Sequence, residues 1–403
     1  MRQAPYVTAA FVLLLLYPPL QVVIRQLAPT YAWVIAALFV IHMFTVARAM
    51  ELEQRVRSWP LFDKLLLLGM LALMCVAALR APNLGIGVGH LAQVIGALMI
   101  CWVVTYGSRF LPAPATLWPL VLSIAIAAVL LVMAIRYWPT AHTLIGKRDY
   151  ITDTNRAAVL LALLCPYLMY HAWHGAGRAR LLALAALALS IWSIFASFSE
   201  SAKLALLVSV LAFALALVNS RLAVWLVAGA TIAYIVLAPW ISIYGPVLVP
   251  SSVVGMTESS TGQVRIDMWR EFGLLVVAKP WLGWGMEASR FAADFPEVSH
   301  LPAVRKKLLD LWHVHNAALQ VWFELGIGGA LLLCIAVWRI ALRIAALAEA
   351  ERITAVSLLA GVVAVSLVSH GAWQVWWYCM VALALCFRHI AMVTVPDAAP
   401  VMR

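Results

Sequence analysis

Residues 311–330 read LWHVHNAALQVWFELGIGGA. Two histidines and an asparagine stand directly before an apolar run that itself holds a glutamate, Glu324. Polar side chains are costly in hydrocarbon, so the reading turns on whether this run crosses a bilayer. Apolar residues continue to about 338, and about 22 helical residues reach about 33 Å, enough for a hydrocarbon core of about 30 Å.

The rest of the chain repeats that pattern. Of 403 residues, 65% are hydrophobic and 11% charged, and there are 18 tryptophans, which favour membrane interfaces. A soluble core of this length does not need so much apolar surface. Twelve spans are predicted, at about 6–27, 30–48, 61–80, 87–107, 116–136, 155–173, 180–198, 203–219, 221–241, 317–338, 353–370 and 374–391. The first, YVTAAFVLLLLYPPLQVV at 6–23, lacks a small-residue cleavage site and reads as a spanning helix kinked at Pro18 and Pro19. The expected organisation is nine spans in 1–241, an extramembrane loop in 242–316, then three spans and a short tail in 317–403. The fold class is all-α polytopic membrane protein. The six cysteines fall inside apolar runs and read as packing residues.

Short loops rich in Arg mark the cytoplasmic side. Arg48, Arg55, Arg57, Arg109, Arg178, Arg180, Arg221, Arg339, Arg343 and Arg352 fall on one side, which puts both termini in the cytoplasm and the long loop outside. The informative cations break the rule. Arg136, Lys147, Arg148, Arg156, Lys203, Arg265, Arg270, Lys279, Arg290 and the Arg305–Lys307 cluster fall outside. The cluster lies on LPAVRKKLLDLW (301–312), where Leu301, Val304, Leu308 and Leu311 share a helical face, so it reads as solvated or resting on anionic lipid. Arg136 and Lys203 stand at the ends of spans, where a charge either snorkels to the interface or faces a polar cavity. With Arg265 they would form an outward-facing cationic pocket for a phosphorylated, lipid-borne ligand. No nucleic-acid partner is expected.

His313 and His315 form His-x-His. On a helix their side chains would diverge by about 160°; only extended chain would let both reach one metal, and the tetrapeptide holds no carboxylate. No metal and no cofactor are expected. Asn316 is a good N-cap for a helix starting at Ala317, which sets His315 at the positive end of the helix dipole and keeps it neutral. A neutral imidazole there can accept a proton from an attacking hydroxyl; the plain alternative is a pair of ordinary interfacial histidines. Glu324 reads as a structural group paired with a donor in the bundle. TGQVRIDMWREFGLL (261–275) reads as an amphipathic helix with Ile266, Trp269 and Leu274 on its apolar face and Arg265 one turn before Trp269.

Taken in order, several stretches resemble the O-antigen ligase and polymerase superfamily of bacterial envelope glycosyltransferases. They are DTNRAAVLLALLCPYL with Asn155, FSESAKLALL with Lys203, RIDMW with Arg265, KPWLGWGM with Pro280, Gly283 and Gly285, and HVHNAALQVWFELGIGG with Glu324 and Gly326. One departure is that Ser201 is followed by Ala202 and Lys203, where the family usually has Arg directly after Ser. Lysine offers a point charge in place of a bidentate fork.

The resemblance implies a GT-C-like fold and a metal-independent transfer at the periplasmic face of the inner membrane. The donor would be an O-antigen on undecaprenyl diphosphate and the acceptor a sugar hydroxyl of lipid A–core, amid membrane lipids. His315 would be the base, Arg265, Lys203 and Arg136 would neutralise the leaving diphosphate, and His313, Asn316 and Asn155 would position substrates. Trp269 and Glu324 would support the site. The rivals are an O-antigen polymerase, a protein O-oligosaccharyltransferase and, outside enzymes, a lipid or solute transporter. A transporter should carry its ionisable residues near the midplane, whereas these cluster at one face.

Overall fold

The helix Glu200–Leu248 contains 49 residues, about 74 Å if straight and more than twice a hydrocarbon core. It is broken at Asn219, whose backbone is extended (φ −153°, ψ 100°) and whose Oδ1 accepts the Leu222 N–H at 3.0 Å. Asn219 therefore caps a second helix, and one continuous element supplies two spans. This reconciles the twelve spans expected with the eleven helices that are long and apolar enough to cross a membrane among the described residues.

The computed structural model describes residues 5–45, 54, 57–112, 116–144, 150–248, 261–311 and 313–392. Arg48, Arg55, Lys147 and Arg148 lie outside them. In chain order the helices are α1 (Pro5–Val23), α2 (Leu27–Thr45), α3 (Leu61–Leu79), α4 (Leu84–Gly107), α5 (Trp118–Leu144), α6 (Tyr150–His174), α7 (Gly177–Ala196) and α8 (Glu200–Leu248). After it come α9 (Thr261–Ala278), the short α10 (Ala303–Leu309), α11 (Ala317–Ala345), α12 (Glu349–Val368) and α13 (Val375–Met392). Among the described residues there are no strands, so the fold is an all-α polytopic membrane protein.

Helix α6 lies at the centre, buried continuously from Ala157 to Ala172. One apolar core joins it to α1, α2, α5, α7 and α13; a second joins its end to α8, α9, α11 and α12. Each end of the bundle is clamped by its own polar contacts. At one end Asp63 takes Arg339 and Arg343 at 2.7 and 2.6 Å, and Arg352 donates to Ser220 Oγ and to the Ala345 and Leu347 carbonyls. The α1–α2 and α3–α4 turns, the start of α6, residues 280–316 and the α12–α13 turn meet at the other.

Both amphipathic faces expected in the long loop differ in the structure. In α9 the buried apolar side chains are Met268, Phe272, Leu275 and Val276, while Leu274 is exposed. In α10 Leu309 is buried and Val304 is 78% exposed. Arg305 is held bidentately by Glu271 of α9 at 2.8 and 2.7 Å, so α10 is fixed to protein rather than lying free on lipid. Seven residues make two turns, too few for an apolar stripe to dictate orientation against such an ion pair.

Candidate functional site

Helix α11 opens where the sequence placed it. Asn316 is fully buried, its Oδ1 accepts the Leu319 N–H at 3.0 Å and its Nδ2 donates to Tyr234 Oη at 2.7 Å. Both ends of the amide are thus used by the protein, and Asn316 fixes the start of the helix.

Two turns on, α11 breaks at Gly326 (φ 66°, ψ −160°). A break inside a span frees backbone groups that lipid cannot satisfy. The KPWLGWGM loop fills it. Trp284 N–H donates to the Phe323 carbonyl at 2.8 Å, Gly285 N–H to Glu324 at 3.1 Å, and Ile327 N–H to Pro280 at 2.8 Å. The approach is too close for side chains: a Cβ on Gly283 would lie 2.6 Å from the Glu324 carbonyl carbon, and one on Gly326 2.4 Å from the Trp281 oxygen. Glu324 locks the joint. Its carboxylate, fully buried, accepts from Glu287 N–H (2.7 Å), Ser289 Oγ (3.0 Å), Gln320 Nε2 (2.9 Å) and Trp373 Nε1 (2.6 Å). With every donor already inside the protein, the geometry gives Glu324 a structural part.

The histidines precede this helix in irregular chain. His315 has φ 53°, a left-handed conformation unusual for a residue with a side chain. The turn brings both rings to one side, with centroids 4.0 Å apart, whereas a helix would have splayed them. Among the described residues no third His, Cys, Asp or Glu joins them in a metal-ligating group. His315 Nδ1 lies 2.9 Å from the Ser369 carbonyl. A carbonyl only accepts, so Nδ1 carries the proton and Nε2 of the neutral ring is a free base. Burial chiefly, and Arg265 in addition, hold the His315 pKa below its ordinary value against the Ser369 bond. Burial, rather than the helix dipole, is the largest cause that disfavours the imidazolium at His315. Burial, His315, Arg290 and Arg265 push His313 down to about 4.

Arg265 of α9 donates to the Val368 carbonyl at 3.2 Å, and burial lowers its pKa. Among the described residues it has no carboxylate partner. One turn later Trp269 Nε1 donates at 2.8 Å to the carbonyl of Val314, the residue between the two histidines. Helix α9 thus both aims the histidine loop and places a cation beside it.

The other expected residues sit apart. Asn155 accepts from Ser199 Oγ, tying α6 to the start of α8. Lys203 pairs with Glu200 of its own first turn at 3.0 Å. Arg136 is exposed. No hydrogen bond, ion pair or ring contact joins Lys203 or Arg136 to the histidine loop among the described residues.

Residues beyond the expected set complete the surroundings. His370 is buried between Trp376 and Trp377, at ring distances of 4.6 and 4.8 Å, and burial, with His315, Arg156 and Arg265 adding, pushes it down to about 3. Arg156 stacks 3.8 Å over Trp376 and donates to the Arg25 carbonyl and Gln26 Oε1. Arg290 joins Glu287 and His90 Nε2. These contacts bridge up to 220 positions in sequence; only the charge of Arg156 and Arg290 on the outer side signalled them.

Two cavities open here. A polar one of about 270 Å³ is lined by His313, Arg290, Gln93, Gln374 and Trp376. An apolar one of about 570 Å³, lined by Leu73, Val94, Val321, Leu325 and Tyr378, runs among the spanning helices. The two share Gly371 and Trp373.

Comparison with known proteins falls on this region. Residues 185–334 match the O-antigen ligase family model. The matched segment carries Lys203, Arg265, Trp269, the KPWLGWGM loop, both histidines and Glu324, so the resemblance read from the motifs is shown. A Rickettsia conorii (strain ATCC VR-613 / Malish 7) protein that carries the provisional name of polysaccharide ligase is 29% identical over 116 residues. That match covers 28% of this chain and 28% of the relative. The surroundings described above that include Ser369 and Arg156 lie outside the family match.

Proposed function

We propose that the protein is an O-antigen ligase that transfers a glycan from undecaprenyl diphosphate to a sugar hydroxyl of lipid A–core. The reaction takes place at the periplasmic face of the inner membrane, with both termini cytoplasmic and residues 242–316 as the periplasmic loop. The observation that carries this reading is His315. Its Nδ1 proton is engaged by the Ser369 carbonyl, its Nε2 is a free base, and Arg265 stands beside it without a carboxylate.

In this mechanism Nε2 of His315 takes the proton of the acceptor hydroxyl. The oxygen attacks the anomeric carbon from the face opposite the diphosphate, the carbon–oxygen bond to phosphate breaks, and its electron pair leaves with undecaprenyl diphosphate. The new glycoside has inverted configuration, and the imidazolium returns its proton to water. Arg265 neutralises the charge that grows on the leaving group, the part a metal plays elsewhere. Lys203 and Arg136 would then act at longer range, drawing the donor to this face. The apolar cavity suits the prenyl chain.

A transporter fits less well, because the histidines, Arg265, Arg156 and Arg290 converge at one end of the bundle. The test is purified protein with chelator and an undecaprenyl-diphosphate-linked glycan, with and without lipid A–core. Glycan on lipid A–core supports the ligase. Longer lipid-linked glycan without acceptor would make the protein a polymerase, and no product in either tube would return the protein-glycosylation and transport readings.

A further inference from the structure

The polar cavity beside His313 has a composition distinct from that around Arg265. Gln26, Gln93 and Gln374 bring amides to it, Trp376 an aromatic ring, and Arg290 a guanidinium. Amides pair with hydroxyls as donor and acceptor, and a ring face covers the apolar face of a sugar. The volume, about 270 Å³, is at the small end of ligand pockets.

Charge separates this chamber from the diphosphate side. Arg290 is ion-paired to Glu287, and Glu287 Oε1 also lies 3.0 Å from His90 Nδ1. Because a guanidinium only donates, the 3.0 Å contact from Arg290 to His90 Nε2 makes that nitrogen the acceptor and leaves the His90 proton on Nδ1, facing Glu287. The group is close to neutral, unlike Arg265, although the 3.0 Å approach of His90 Nδ1 to Glu287 is not a hydrogen bond and leaves that buried nitrogen without a partner among the described residues. Such a group orients hydroxyls but does little for a diphosphate. In addition, Gln374 Oε1 is buried without a hydrogen-bond partner among the described residues. A buried acceptor without a donor is uncommon, and here it belongs to a side chain that lines the chamber.

We infer that this chamber is the acceptor subsite, binding one uncharged sugar ring of the acceptor through Gln374, Gln93 and Arg290, with Trp376 beneath it. The inference rests on the ligase reading and extends it by separating the acceptor from the donor headgroup. His313, on the chamber wall, stands between the two and next to His315, so a hydroxyl of the bound sugar is presented toward the base.

The experiment has two arms on the full-length protein in detergent. Calorimetric titration with delipidated core oligosaccharide measures binding without chemistry, and steady-state transfer gives separate KM values for the lipid-linked donor and for lipid A–core. Gln374→Ala, which leaves the Glu287–Glu324 joint intact, and Arg290→Gln are compared with wild type. Losing one or two hydrogen bonds corresponds to about tenfold weaker oligosaccharide binding and about a tenfold higher lipid A–core KM, with the donor KM unchanged. A rise in donor KM with acceptor KM unchanged would overturn the assignment. Transfer by wild type with no oligosaccharide binding would overturn it too, while sparing the ligase reading. Neither transfer nor binding by wild type would remove both.

Discussion

His315 and Arg265 are tied to consecutive backbone carbonyls, Ser369 and Val368, across the turn between α12 and α13. A side chain of helix α9 and one from the irregular chain before α11 are thereby registered on two successive peptide units. Arg265 is near enough for its charge to disfavour imidazolium at His315.

The pH dependence follows from that relationship. The His315 pKa is depressed, so the base form predominates at its ordinary value of 6.5 and above, and transfer should be close to its plateau at about pH 7–8. The acid limb should appear only below 6.5. Arg265→Gln removes one of the causes of depression, so its acid limb should move to higher pH, in addition to lowering the plateau. A pH–rate profile of both proteins checks this; an unmoved limb in Arg265→Gln would separate the two residues.

Stability should also fall on the acid side. Unfolded histidines take up protons near 6.5, while His313 in the fold does so only near 4. Below 6.5 the unfolded state therefore binds more protons, and stability is lost as pH falls from about 6.5 to about 4. Thermal unfolding in that window, compared with His313→Ala, should show a shallower pH slope for the variant.

Trp269→Phe keeps the ring and deletes the donor to the Val314 carbonyl. A neutral hydrogen bond is worth about 0.5–1.5 kcal/mol, so loosening of the histidine loop should lower kcat by up to about tenfold. The melting temperature should fall by no more than the loss of that one hydrogen bond allows. Unaltered kcat would show that the loop holds its shape without α9.

The joint at the helix break should be intolerant of a methyl group. Gly326→Ala and Gly283→Ala each place Cβ against backbone in a left-handed conformation. Losses of about 1–3 kcal/mol from the backbone conformation alone, plus the clash, should appear as lower melting temperatures. Gly96→Ala, with open space around its Cβ, is the control and should be unaffected.

What the sequence made legible was local. The Asn316 cap and the span count both follow from neighbours within a few residues, and Asn219 shows why twelve apolar runs become eleven helices. The hydrogen bond of Trp269 to the Val314 carbonyl spans 45 positions and was not readable from the apolar face to which the pattern assigned it. The partner that selects the His315 tautomer is 54 positions away, and the His90–Glu287–Arg290 triad closes over 200. No periodicity announces such contacts. The faces of α9 and α10 were misassigned because both elements bury themselves against protein, with Glu271 and Arg305 fixing the angle, whereas the sequence pattern was read against a flat membrane. Lys203 and Arg136 were grouped with Arg265 by charge and side alone, and the fold spreads them apart.

The most direct test is the initial rate of glycan transfer to lipid A–core by His315→Ala and His313→Ala, each first shown to be folded by an unchanged elution profile and melting curve. Loss of a general base typically costs about 10²–10⁴-fold. The structure predicts a loss of that size for His315→Ala and a smaller one for His313→Ala, whose ring lines the acceptor side. Near-normal transfer by His315→Ala, with activity abolished in His313→Ala, would contradict the assignment of the base.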